Sequence, residues 1–374
     1  MKILATISRF LVGILFTFSG FVKAVDPLGT AYKFTDYFND ALHLPGMVPA
    51  SFVLAIIMIT AELSVGLMLI FNALPKLAAW GSLLLMLVFT PLTLYLAIEN
   101  PVSDCGCFGD ALVLTNWETF WKNVVIMVFV LIYFFMKNKF ELKMTKKLQM
   151  IISFAIIVLT TGFQFYNLNN LPIIDFRPYK IGTNIPEQMI IPEGEPLDVY
   201  ETVLVYKNIN TNVEQEFTME NYPWEDSTWV WVSTNSKLIS KGYTPPIHDF
   251  TITTLDGFEI TEDILNEEIP VFLFVAYNLN KTIVKGFEKA EEIWKYSESK
   301  EYYFYCLTAS SETDINELVS QINYLPEFCT TDEIQLKTII RANPGLVLLK
   351  KGTVLGMWHW KHLPSNEEIE KLLN

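Results

Sequence analysis

The chain has 374 residues, 51% hydrophobic and 18% charged, with a formal net charge of −14. That charge is unevenly placed: 11 basic and 9 acidic residues up to Lys147, then 16 and 32 beyond it. An apolar, nearly neutral part is followed by a strongly acidic one, which excludes nucleic acid as the natural partner, and the length fits about two to three domains.

Four apolar runs occupy residues 3–24, 48–71, 76–98 and 117–136, and a fifth occupies 148–166. Each is close to the ~20 residues that a helix needs to cross ~30 Å of hydrocarbon. A spanning segment must satisfy its own backbone hydrogen bonds, so five spanning helices are expected. The first run continues through "GILFTFSGFVKA" past the core of a signal peptide and has no clean cleavage site, so it reads as a retained helix.

Short-loop Lys and Arg residues set the expected orientation. Lys2 and Arg9 lie at the start, Lys76 in the second loop, and Lys137, Lys139, Lys143, Lys146 and Lys147 in the fourth. The third loop carries Glu99, Asp104 and Asp110 and no basic residue. A cytoplasmic N-terminus, an outward third loop and an outer C-terminal part follow. In a bacterial inner membrane that outer side is the periplasm, where disulfides persist.

The third loop contains "SDCGCFGD". Cys105 and Cys107 flank a single glycine, and Gly106 gives the backbone the freedom to bring their Cα atoms into the ~4.4 to 6.8 Å range that a disulfide needs. A thiol-disulfide redox pair and a structural loop staple are both open at this point. A metal site is weaker: zinc takes four ligands, and His43 alone could join the two thiols on that side. No metal ligand set is assigned.

Glu62 lies within the second apolar run. A carboxylate at that depth is costly and is expected to face the bundle interior with a partner, Lys23 or Lys122 being the candidates; the site reads as a proton or ligand site or as a structural polar pair. Trp117 and Trp121 suit an interfacial aromatic belt.

After a basic loop and the fifth helix (137–170), residues 171–243 read as a β-rich segment of Val, Thr, Tyr and Trp at period two, as in "DVYETVLVYKN" and "STWVWVSTNS". Residues 244–374 then give an Asp-Gly hairpin in "HDFTITTLDGFEIT", the apolar strand "PVFLFVAYNL", a helix, the strand "EYYFYCLTAS", a helical stretch, a final hairpin in "NPGLVLLKKGTVLGMWHW" and a terminal helix with Ser365 as N-cap. This order predicts a mixed α/β fold. Cys306 reads as a small buried side chain, and a bridge to Cys329 is open.

Two resemblances attach to these residues. Through "GYTPPIHDFTITTLDG" and Pro344 of "ANPGLVLL", residues 244–374 resemble the thioredoxin-like fold in its peroxiredoxin and thiol-disulfide reductase branch. The resemblance implies a cis-proline at Pro344 and a peptide groove at Asn343 and Pro344. The family's Cys-x-x-Cys is missing where the sequence reads "VFLFVAYNLNKT", so this domain is expected to be redox-inactive. Through "FSGFVKAVDPLGTAYKFTDYF", "AELSVGLML" and "DCGCFG", residues 1–136 resemble the four-helix DoxX/MauE group, the latter named for methylamine utilisation. Fusion to a thioredoxin-like module is similar to vitamin K epoxide reductase fusions, which implies a quinone as electron acceptor. This chain lacks their intramembrane Cys-x-x-Cys, and no cofactor motif is evident.

The expected function is support of thiol-disulfide redox or maturation of a periplasmic or membrane protein partner through Cys105 and Cys107. A non-enzymatic membrane scaffold using the groove is the alternative, and small-molecule or proton transport through the bundle, suggested by Glu62, is the second.

Overall fold

The computed structural model describes residues 2–102, 104–139 and 144–373. Ser103 of the cysteine loop and Lys143 of the basic loop lie outside the described residues. Two compact units emerge: Met1–Thr183 together with Phe250–Asn374, and Asn184–Asp249.

In the first unit, helix α1 (Lys2–Val25) is followed by α2 (Pro27–Asp36), α3 (Ser51–Phe71), α4 (Pro75–Glu99), α5 (Asn116–Met136) and α6 (Lys146–Asn169). Among the described residues, five helical segments are long and apolar enough to cross a membrane, and they fall on the five expected runs. Their ends carry local signals. Asp26 caps α2 by accepting from Gly29 N at 2.9 Å, with Pro27 in the first turn. Thr115 and Glu118 form a capping box on α5, and Thr145 caps α6. Asn72 and Asn100 close α3 and α4 in the left-handed conformation.

Helices α1 and α3 touch backbone to backbone. A Cβ on Gly20 would lie 2.7 Å from Leu63 N, and one on Gly66 2.5 Å from Thr17 N. Small residues permit this approach, and it carries groups on one helix within reach of the other.

The second unit contains α7 (Ile185–Met189) and a three-stranded antiparallel sheet, β1 (Val199–Asn208), β2 (Glu214–Thr218) and β3 (Trp229–Ser240), in the order β2-β1-β3. Alternating Val, Thr, Tyr and Trp residues form the long central pair as the pattern predicts.

The remainder of the first unit runs β4 (Thr253–Thr254), α8 (Thr261–Asn266), β5 (Val271–Val275), α9 (Val284–Ser299), β6 (Tyr303–Thr308), α10 (Glu312–Val319), β7 (Glu327–Thr330), α11 (Glu333–Ile339), β8 (Gly345–Lys350), β9 (Thr353–His359) and α12 (Asn366–Leu373). The six strands have the order β4-β7-β6-β5-β8-β9. Strands β5, β6 and β7 are parallel, while β8 and β9 run antiparallel to their neighbours. All five residues of β5 are buried, as expected for a central strand covered on both faces. Ser365 caps α12, accepting from Glu368 N at 3.3 Å.

The Asp-Gly turn forms, with Gly257 at φ +87°, and its arms are joined by Thr254 N to Phe258 O and Ile260 N to Ile252 O, both 2.9 Å, while the other edge of the short β4 pairs with β7. Cys306 and Cys329 are both unbridged. They lie on adjacent strands, but Cys306 aligns with Phe328 and Cys329 with Leu307, so the two side chains point to opposite faces of the sheet.

Candidate functional site

The loop between α4 and α5 brings Cys105 and Cys107 together. Their Cα atoms are 5.4 Å apart and their sulfurs are in bonding contact. The turn depends on Gly106 at φ +59°, a conformation that a side chain would disfavour. Asp104 holds it from the N-terminal side: Oδ1 accepts from Gly106 N at 2.7 Å, while Oδ2 pairs with Lys33 Nζ at 2.8 Å.

Both cysteine carbonyls are tied to side chains from other elements. Tyr37 OH donates to Cys105 O. Burial and the nearby Asp104 and Asp36 push this phenol well above its ordinary value, so it remains a neutral donor. Ser19 Oγ, on α1, donates to Cys107 O at 2.7 Å. Thr119 Oγ1, on α5, lies 3.5 Å from Cys105 Sγ. Cys105 is buried, whereas Cys107 is only partly so.

Behind the loop lies the buried ion pair. Lys23 Nζ meets Glu62 Oε2 at 2.8 Å, with only 6% and 4% of the two side chains exposed, so neither charge can rely on solvent. Lys23 also donates to Ser19 Oγ at 2.9 Å. Of the two candidate partners, Glu62 therefore takes Lys23. Lys122 lies over the Phe108 ring, 4.2 Å from its centroid. The α1–α3 glycine contact explains this choice, since it brings Lys23 and Glu62 across a short interhelical distance.

These groups share a cavity of about 520 Å³ inside the bundle, lined by Cys105, Cys107, Lys23, Glu62 and Lys122 among mostly apolar walls such as Phe89 and Leu92. Trp117 and Trp121 point outward from α5, 50% and 60% exposed, as an interfacial belt requires. His43 is exposed, its Nδ1 3.2 Å from Asn39 O, and does not line this cavity.

Asn343 and Pro344 lie elsewhere, just before β8, and the bond between them is cis. Asn343 Nδ2 donates to Asn278 O at 2.8 Å, within the segment after β5 where the sequence lacks cysteine. Arg341, two residues earlier, connects this end of the sheet to the cysteine loop. Its Nε pairs with Asp26 Oδ2 at 2.8 Å, and its NH2 approaches Asp110 Oδ2 at 3.6 Å. Burial acts to raise the Asp26 carboxyl, but Arg341 and Arg177 outweigh it and hold it below its ordinary value. At Asp110 burial prevails over the pull of Arg341, and the carboxyl is raised. Tyr32 OH and Tyr277 OH, 3.1 Å apart, form a second link.

The structure thus gathers Cys105, Cys107, Lys23 and Glu62 and places Asn343 and Pro344 in the sheet, joined to that cluster only through neighbours. Ser19, Tyr37, Thr119 and Arg341 are additions that the sequence reading did not name. Ser19 precedes Lys23 by four residues, one helical turn, and Arg341 stands in the apolar context "TIIRANPG", which are the signals that mark them. The sheet thiols are chemically quiet: burial pushes Cys306 well up and Cys329 up to about 12.

Residues 1–136 match the family described as methylamine utilisation protein MauE. Residues 200–241 match a domain of unknown function, DUF8463. No curated protein and no solved structure matches the chain.

Proposed function

We propose that this MauE-like membrane protein supports thiol-disulfide redox or maturation of an envelope partner through a reversible Cys105–Cys107 disulfide. One observation carries the reading: the two sulfurs meet in a loop pinned by hydrogen bonds and open to an internal cavity. Exchange is balanced without any other reagent. A partner thiolate attacks one sulfur, the Cys105–Cys107 bond breaks, and a mixed disulfide forms. The partner's second thiolate then attacks that bond, leaving an oxidised partner and two thiols in the loop.

The loop faces the periplasm of a bacterial inner membrane in this reading, supported by the basic second and fourth loops. Methylamine utilisation, named in the family description, is the setting suggested for the partner. The six-strand order, with parallel β5, β6 and β7 and an antiparallel final hairpin, supports a thioredoxin-like assignment for the C-terminal part. The apolar Phe89 and Leu92 would hold a quinone in this cavity, with the Lys122 ammonium as a donor to its oxygen, and when bound it would supply an acceptor for two electrons.

The scaffold reading rests on a different observation. Asn343 Oδ1 is buried without a hydrogen-bond partner beside the cysteine-free segment after β5, an unsatisfied acceptor at the position where the resemblance implies a peptide groove. Transport has less support, since Glu62 is closed off by Lys23 at 2.8 Å.

Single-cysteine trapping in cells distinguishes the first two. Cys105→Ser leaves the more accessible Cys107 and is expected to accumulate a mixed disulfide with a protein partner, more than Cys107→Ser does. If neither variant traps a partner and the double Ser variant matures envelope proteins normally, the redox reading fails.

A further inference from the structure

The Lys23–Glu62 pair is expensive to bury, and the loop chemistry just described does not by itself use it. Its hydrogen bonds continue beyond the pair: Glu62 accepts from Lys23, Lys23 donates to Ser19, and Ser19 donates to the carbonyl of Cys107. The polarity of this chain is fixed by chemistry. An ammonium group has three donors and no acceptor, so the Ser19 oxygen receives from Lys23. The single Ser19 hydroxyl proton is then committed to Cys107 O. Without Lys23 in place, a helix serine is free to turn back to a carbonyl on its own helix.

From this we propose that Lys23 and Glu62 are positioning residues for the cysteine pair, acting through Ser19 to hold Cys107 where its sulfur meets that of Cys105. The inference rests on the redox reading above. Tyr37 fixes the Cys105 carbonyl, Ser19 fixes that of Cys107, and Gly106 turns between them. A loop held in the bonded arrangement favours the disulfide over the separated thiols, because less conformational freedom is lost on closing the ring. Loosening one support shifts the balance toward the reduced form.

The test titrates the full-length protein in detergent against dithiothreitol and its oxidised form, reading the Cys105–Cys107 state by intact mass after alkylation. Ser19→Ala is expected to become reduced at about a tenfold lower ratio of reduced to oxidised reagent, the scale of one buried hydrogen bond. This is about 30 mV for a two-electron couple. Ser19→Thr keeps the hydroxyl and should restore the wild-type midpoint, while Glu62→Gln should shift it in the same direction as Ser19→Ala. Ser19→Ala makes the smallest change, so the test does not depend on the charge variants folding. A wild-type midpoint in both Ser19→Ala and Glu62→Gln overturns the inference, as does lowered thermal stability with no shift in midpoint. Those results leave the redox reading standing; a wild-type pair that never exchanges with the reagent overturns both.

Discussion

Two pairs of cysteines sit in similar positions of reach and have opposite outcomes. Cys105 and Cys107 are separated by one residue and meet because Gly106 turns the chain and two hydroxyls fix the flanking carbonyls. Cys306 and Cys329 are brought onto neighbouring strands by the fold and still do not meet, because the register puts them on opposite faces. Proximity in space is therefore insufficient for thiol chemistry; the backbone must also aim the sulfurs and leave one accessible.

The two cysteine pairs should differ most in native-state alkylation after mild reduction. Cys329 is fully buried and its thiol is raised to about 12, so it holds very little thiolate at pH 8 and is shielded from reagent. Cys107, partly exposed in its loop, should therefore label far faster than Cys329. Similar rates, followed by mass spectrometry, would erase the distinction.

Next in size is the buried pair behind the loop. Glu62→Ala leaves the Lys23 charge without its partner and should cost about 3–5 kcal/mol, whereas replacing both residues by methionine should recover most of it. Unfolding of the three variants in one detergent checks this. Gly66→Ala should cost about 1–3 kcal/mol, because its new Cβ meets the backbone of α1 and the helices must separate.

The pair itself was half legible. Glu62 in an apolar run required a basic partner, and sequence named Lys23 and Lys122 without choosing, because the choice depends on the Gly20 and Gly66 contact. The five helices were legible from hydropathy and the Cys105–Cys107 pair from spacing. The Ser19 bond to Cys107 spans 88 positions in the chain and leaves no local pattern. The same holds for Arg341, whose partners Asp26 and Asp110 are supplied by the other end of the sequence. The lack of a Cys306–Cys329 bridge was hidden for a different reason: a one-residue difference in register decides it, and composition does not encode register.

The smallest effect lies in the sheet, away from the cysteine loop. Burial, with Lys361 nearby, lowers His359 from 6.5 to about 4, and its Nδ1 accepts from Lys361 N at 3.2 Å. The unfolded chain binds this proton more readily, so the His359 contribution is intact above about pH 6.5 and is lost as pH falls toward about 4. Hydrogen exchange of β9 across that range should show the loss in the wild-type chain and a flatter profile in His359→Gln.

The central claim is that Cys105 and Cys107 form an exchangeable bridge rather than a permanent staple. Its most direct test is the redox midpoint of that pair in the purified full-length protein, equilibrated with thiol buffers of known potential. An exchangeable bridge has a midpoint above about −300 mV, within reach of cellular thiol systems; a midpoint below about −300 mV, where resistant structural disulfides lie, would make Cys105–Cys107 a permanent staple.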